Sequence, residues 1–351
     1  MAVAQLAGLG GSGGVGALMN ASTWARKLLQ GAGVLWGAWT LVFFIFAFVP
    51  DPARQMAGQN ERQEVVDAFR ARHGLDRPLL ERYVRFWAEL SPVKWSRAEG
   101  VHIAAPSLGR SFVSDRPVLS AIRESLPATM LLATAAMGLA LVLGLVLGAW
   151  LAPRAGSRVD RWVLTLASLG MSAPSFVMAI GVSWLFGSVL HAWTGLPMTG
   201  GLMEVHPFEG PRLAWHHAIL PALTLGIRPV SVVTQLTRNA VIDVLGTTYI
   251  RTARSKGISA TRLFFRHVLR NALNPVLTAA SGWFASMLAG AVFIEFVFGW
   301  QGMGLLMFRA LEVGDLPIVM GCVAVIALVF VAVDTAVDVL YAWLDPRVRL
   351  S

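Results

Sequence analysis

Six long apolar runs divide the chain, at 30–49, 127–151, 162–190, 217–237, 276–298 and 317–343. Each is near the roughly 20 residues that a helix needs to cross about 30 Å of hydrocarbon. Lipid offers no partner for backbone N–H and C=O groups, so the runs are predicted to be membrane-spanning helices. The long polar stretch 50–126 has a different pattern. Val65, Val66 and Phe69 share one face of a helix over 61–73, and Leu80, Val84 and Trp87 repeat at helical spacing over 78–90. Gly74 closes the first helix, Asp76 sits at an N-cap position and Pro78 suits a first turn. The stretch 91–106 reads as an irregular insert, and the whole predicts a small helical cap on the membrane surface.

Composition agrees with a bilayer protein: 56% of the 351 residues are hydrophobic and 14% are charged. The net charge of +9 would suggest nucleic acid in a soluble protein. Here the arginines gather at the ends of apolar runs, where topology and anionic lipid account for them. Cys322 is alone within an apolar run, which excludes disulfides and thiolate metal cages.

Orientation follows from the short basic loops. Arg154, Arg158 and Arg161 separate the second and third runs, and a longer basic loop, 238–275, separates the fourth and fifth. With Arg347 and Arg349 near the end, both termini and these loops are predicted to be cytoplasmic, leaving 50–126 outside. Arg26 and Lys27 precede a first run that ends at Pro50 without a small-residue cleavage site, so it reads as a retained helix. Residues 1–29 are expected to be a flexible cytoplasmic tail; the GxGxxG match at Gly8 to Gly13 lacks a preceding strand.

The loop from Tyr249 to Pro275 is the richest segment. Thr247 to Lys256 is too short and too charged to span but favours a helix, and Gly257 permits the backbone that ends one. Ser259 can cap a second helix, with Arg262, Arg266 and Arg270 on one stripe and Leu263, Phe264, Val268 and Leu269 on another. Asn274 and Pro275 are expected to break it before the fifth span. Such a bent pair can lie on anionic lipid or dock on a protein; a bare lipid anchor would not need the hinge.

Charges within the runs are few. Arg228 lies mid-run before Pro229; at that depth it costs roughly 2.5–3.5 kcal/mol, so it should face a water-filled path, or a carboxylate of a solute or neighbouring helix. Glu295, before an aromatic and Gly-rich turn, suits a path or gate contact, or capping and packing at the membrane surface. Asp334 and Asp338 share a helix face, where ion pairs or a proton relay can be drawn. His206, His216 and His217 have no carboxylate or thiolate at a fixed spacing, so no metal site is expected. Trp36, Trp39, Trp162 and Trp343 read as interface anchors or packing. There is no GxxxxGK[ST], and none of the three lysines (27, 94 and 256) follows a glycine, so this chain cannot cradle ATP through that motif.

The run YIRTARSKG followed by RHVLRNALNP resembles the cytoplasmic coupling loop of ABC importer permeases, in the form found in dipeptide and oligopeptide permeases. GLDRPLLERY (74–83), SLGRSF (107–112), LPATMLL (126–132), SAPSF (172–176), ILPALTLG (219–226), IEFVFGWQGMG (294–304) and LDPRVR (344–349) are similar too. Arg251 stands where the general loop pattern has Glu, Arg270 where it has Pro, and Val49 to Pro52 departs from the branch's usual Gly before Asp-Pro.

The resemblance implies an all-α polytopic protein of the type I importer permease fold in the bacterial inner membrane. Its parts are a first helix (30–49), a periplasmic cap (50–126), a five-helix core (127–343) holding the coupling loop, and a cytoplasmic tail (344–351). It further implies no covalent chemistry here, with ATP and Mg bound by two partner ATPases, a second similar permease, and a periplasmic substrate-binding protein. Tyr249, Arg251, Thr252, Ala253, Arg254, Ser255, Lys256 and Gly257 would engage an ATPase, and Arg228 and Glu295 are candidates for path or gate. The cargo implied is a di- or oligopeptide or related small solute. A self-sufficient ion-coupled carrier and a nickel-type importer permease are the other readings.

Overall fold

The computed structural model describes residues 21–48, 54, 62–91, 93–96, 100–103, 106–206 and 210–344. The glycine-rich start, Val49 to Pro52 and Arg347 and Arg349 lie outside that set. Helix α1 (Ala21–Ala47) is followed by the cap helices α2 (Gln63–His73) and α3 (Leu79–Leu90) and a hairpin of β1 (Val93–Ser96) and β2 (Gly100–Ile103). Then come α4 (Val118–Leu151), α5 (Arg158–Ser172), α6 (Ser175–Trp184), α7 (His191–Thr194) and a second hairpin, β3 (Met203–His206) with β4 (Gly210–Leu213). The chain closes with α8 (Ile219–Leu245), α9 (Thr248–Ser255), α10 (Ala260–Leu263), α11 (Arg270–Phe298), α12 (Met303–Glu312) and α13 (Leu316–Leu344).

Among the described residues, four helices are each long and apolar enough to cross a membrane, and two bent pairs bring the number to six if each pair is one span. The fifth of the six is itself a bent pair, Ala260–Leu288 and Ala291–Phe298, which meet at 52°. The third differs more from the single span expected over 162–190: α5 and the helix from Ser175 to Val189 meet at 110°. Pro174 explains the break, because it lacks an N–H and drives Ala173 to an extended ψ of 136°. The second span is longer than its apolar run, since α4 begins at Val118 and continues through Pro127.

Helices α4 and α8 form the central stem, and glycines set their spacing. A Cβ on Gly144 would come within 2.5 Å of the Val233 side chain, and one on Gly148 within 2.6 Å of the Thr234 carbonyl oxygen. Small residues one turn apart let two membrane helices approach backbone to backbone. The main core lies beside this stem, where Leu132, Ala136 and Ala140 meet Leu220, Leu225, Met287 and Ile294. Helix α1 lies against α13, with Trp39 Nε1 donating to the Ala324 carbonyl at 3.1 Å.

The cap departs from its sequence pattern in several places, Val65 of α2 being exposed while Val66 beside it is buried. Leu80 and Val84 are exposed; α3 instead turns Tyr83, Phe86 and Trp87 onto Trp39, Phe43 and Phe44 of α1. Aromatic area and the 2.9 Å Thr40–Tyr83 hydroxyl bond outweigh the aliphatic stripe. Asp76 is outside α3, whose N-cap position is Pro78, whereas Gly74 ends α2 in the left-handed region as expected. The stretch 91–106 holds an antiparallel hairpin pairing Val93 with Ile103. The cap is tied to the bundle by Asp315, which accepts from the Ser111 hydroxyl and, at 3.0 Å, from the Phe112 N–H.

Candidate functional site

The elbow between α8 and α11 is built around one buried side chain. Helix α9 is eight residues long, too short to be stable alone in water. It is held by Ile250, which is 1% exposed and packs with Ala152, Val241, Leu263, Val268 and Ala272. Asn271 adds a second latch, donating to the Tyr249 hydroxyl at 2.9 Å and to the His267 carbonyl at 2.7 Å. Gly257 ends the helix at φ +77°, its N–H reaching the Arg254 carbonyl at 3.0 Å. A Cβ there would meet nothing within 4 Å, so backbone conformation alone calls for glycine.

The other face of α9 is cationic. Arg251, Arg254 and Lys256 are exposed, as are Thr252 and Ser255, whose hydroxyls bond back to the Thr248 and Thr252 carbonyls. Ala253 is half-buried against the Ile250 cluster. Arg262, Arg266 and Arg270 continue the exposed charge along the following helix, and no acidic residue occurs between Asp243 and Glu295. An apolar groove of about 610 Å³ runs beside the elbow, from Ala149 and Trp150 to Leu263 and Phe264.

Two expectations for this loop are corrected. Ser259 occupies the N-cap position of α10 but its side chain makes no capping bond. Asn274 and Pro275 do not interrupt the helix: a π-helical segment, Phe264–Leu269, joins α10 to α11, and Pro275 lies inside α11. Packing of Val268, Ala272 and Val276 along one buried face holds the helix through the proline. Just beyond the elbow, Asp160 and Arg238 form a bidentate pair at 2.6 and 2.7 Å with side chains 2% and 15% exposed. Asp160 also accepts the Gly156 N–H, so this pair braces the α4–α5 turn against α8.

Arg228 lies where the third span breaks. Its Nη2 donates to the Ala173 carbonyl at 3.0 Å, a group that Pro174 prevents from joining a regular helix. Its Nε is buried without a partner, and the side chain borders a cavity of about 70 Å³ lined also by Ser175, Thr224, Trp283, Ser286 and Met287.

Glu295 is elsewhere, and wholly enclosed. It accepts from the Thr129 hydroxyl at 2.6 Å and from the Gly304 and Leu305 N–H groups at 2.7 and 3.1 Å, capping the start of α12. Thr129 in turn accepts the Met303 N–H at 2.8 Å. A Cβ on Gly302 would overlap the carboxylate, which explains the glycine in the FGWQGMG run. Asp334 is exposed on α13, and the side chain of Asp338 lies outside the described residues.

The histidines hold what spacing concealed. The β3–β4 hairpin carries Glu204 to His216 and His217, so a carboxylate does join them. The side chain of His206 lies outside the described residues.

A bundle of four to six candidate spans with a short cationic helix latched at one end is the architecture of a polytopic membrane protein. Residues 144–350 match the family described as binding-protein-dependent transport system inner membrane component, and residues 25–133 match the N-terminal region described for such membrane components. The chain belongs to this family, as a multi-pass inner-membrane component of a transport system. It is 36% identical over 326 residues to a Brucella abortus (strain 2308) protein provisionally named a peptide transport system permease protein, covering 92% of this chain and 98% of that one. It is 35% identical over 310 residues to the glutathione transport system permease protein GsiC of Salmonella typhimurium, covering 88% and 92%. A chain of the MetNI methionine ABC transporter, solved in inward-facing conformations, aligns with a TM-score of 0.52 at 17% identity over 65% of this chain and 97% of that one. That likeness is one of fold. Family membership speaks against a self-sufficient ion-driven carrier.

Proposed function

We propose that this permease imports di- or oligopeptides or closely related solutes, receiving them from a periplasmic binding protein and driven by ATPase subunits that seat the elbow. The names of the relatives support the cargo class. The elbow geometry supports the drive: Tyr249, Arg251, Thr252, Ala253, Arg254, Ser255, Lys256 and Gly257 form a helix and hinge fastened at one buried point, with the charges turned outward. In this reading both termini and the elbow are cytoplasmic and the cap is periplasmic. The central path lies between this chain and a second, similar permease, with ATP and Mg held by the ATPases.

Arg228 is the proposed contact for a peptide carboxylate, because its buried Nε and neighbouring cavity leave a donor to spare. Glu295 would act at the gate indirectly, by joining α4 and α11 to the start of α12. The carrying observation is the cationic outer face of α9. Uptake of a labelled dipeptide into proteoliposomes, with the whole complex and ATP, tests it. Charge reversal in Arg254→Glu/Lys256→Glu is expected to abolish coupled uptake while the complex components still fold. Unchanged uptake in that variant, or uptake by this subunit alone under an ion gradient, overturns the reading.

A further inference from the structure

At the cap end of the bundle, away from the elbow and from Arg228, Glu204, His216 and His217 each offer a ligand atom, all within 4.8 Å of one another. Hairpin register brings them together. Glu204 pairs opposite Arg212, and the Ala214 N–H bonds the Leu202 carbonyl at 2.9 Å, closing the hairpin base beside the 3-10 turn Trp215–Ala218 that presents both histidines. The two imidazoles lie 4.3 Å apart at 74°.

One of the three is already oriented. His217 Nδ1 lies 3.0 Å from the Gly201 carbonyl, and a carbonyl can only accept, so Nδ1 carries a hydrogen and Nε2 is the nitrogen left to face a ligand. A histidine fixed through its second nitrogen in this way is the usual arrangement of a metal ligand. The ring is also held from behind, since a Cβ on Gly200 would run into it. The Gly200 N–H donates to the Phe298 carbonyl at 2.8 Å, so the same short segment touches the end of α11.

We propose that Glu204, His216 and His217 bind a divalent transition metal of the zinc class, with water completing the coordination. Two imidazoles and one carboxylate suit such an open site. A tetrahedral ion with bonds of about 2.1 Å holds its ligand atoms about 3.4 Å apart, which Glu204 and His216, both exposed, reach by side-chain rotation. Arg212, opposite Glu204, competes for the carboxylate and keeps the affinity below that of a closed structural site. The bound ion would fasten the hairpin to the entry of α8 and, through Gly200, to α11. It is a clamp on the cap end, separate from any cargo, and it does not rest on the peptide reading.

Full-length protein purified without a histidine tag and titrated with zinc chloride by calorimetry, with thermal unfolding in parallel, tests this. One saturable site per chain and a higher Tm with metal are expected. Glu204→Gln and His216→Ala should each weaken binding about tenfold or more while leaving the metal-free Tm near wild type, because both side chains are exposed. Absence of saturable binding overturns the proposal. So does binding undiminished in the double variant, which would assign the ion to other histidines.

Discussion

Ile250→Ala separates the latching of the elbow from its docking. The side chain is 1% exposed among five other buried residues, so truncation removes nearly its whole apolar contact. Burial-to-cavity losses for Ile→Ala run at about 2–5 kcal/mol; the lower half, about 2–3 kcal/mol, fits a site near the end of the bundle that can partly collapse. That is enough to release an eight-residue helix with little stability of its own. The cations of α9 are untouched, so binding of the ATPases should persist. In reconstituted complexes, ATP turnover is expected to continue while peptide moved per ATP falls at least fivefold, and hydrogen exchange should rise over 248–256. Ile250→Val, costing about 0.5–1.5 kcal/mol, should fall between. Faster exchange in Ile250→Ala with an unchanged transport-to-ATP ratio would refute the idea that this buried contact transmits the stroke.

Gly257→Ala should cost about 1–2 kcal/mol from its φ of +77° alone, seen as a lower Tm, because no neighbour obstructs the new methyl. Asp160→Asn leaves Arg238 with only neutral acceptors, among them the Asn239 amide oxygen, and is expected to destabilise by about 2–3 kcal/mol, below the usual cost of an unpaired buried charge, with part recovered in Asp160→Asn/Arg238→Met; equal Tm values for wild type and the single variant would dismiss the brace. His73, on the cap, has its pKa lowered from 6.5 by burial against Phe69 and Phe112 and by the Arg72 charge, partly opposed by Asp115 and Asp315. The folded cap thus prefers neutral imidazole: its stability is full above pH 6.5 and declines as pH falls from there toward the lower folded value. Protection against hydrogen exchange over residues 63–73, corrected for the intrinsic rate at each pH, should fall on acidification, and His73→Phe should remove that dependence.

Much of this architecture can be read along the chain. Apolar run length locates the spans because hydrocarbon leaves the backbone no other solution. Gly74 and Gly257 mark helix ends because their positive φ is a local requirement. What eluded the pattern depends on partners distant in sequence. Leu80 and Val84 have the periodicity of a buried face, yet aromatics on α1 turn α3 the other way. Pro174 marks a break in the apolar run 162–190, but the 110° angle and the Arg228 donor that meets the Ala173 carbonyl belong to the tertiary structure. Pro275 misled in the opposite sense, since continuous packing carries α11 through it. The enclosure of Glu295 by Thr129 and the joining of Glu204 to two histidines are likewise products of tertiary register.

Gly144 and Gly148 make α4 and α8 behave as a single stiff rod. One end of that rod meets Ile250; the other, about 35 Å away along α4 at 1.5 Å per residue, carries Thr129 and through it Glu295. On the proposed coupling, a push at the base would reach the far rim through this one closely packed pair. Widening the contact with Gly148→Leu would leave handle and rim intact but let one slip past the other.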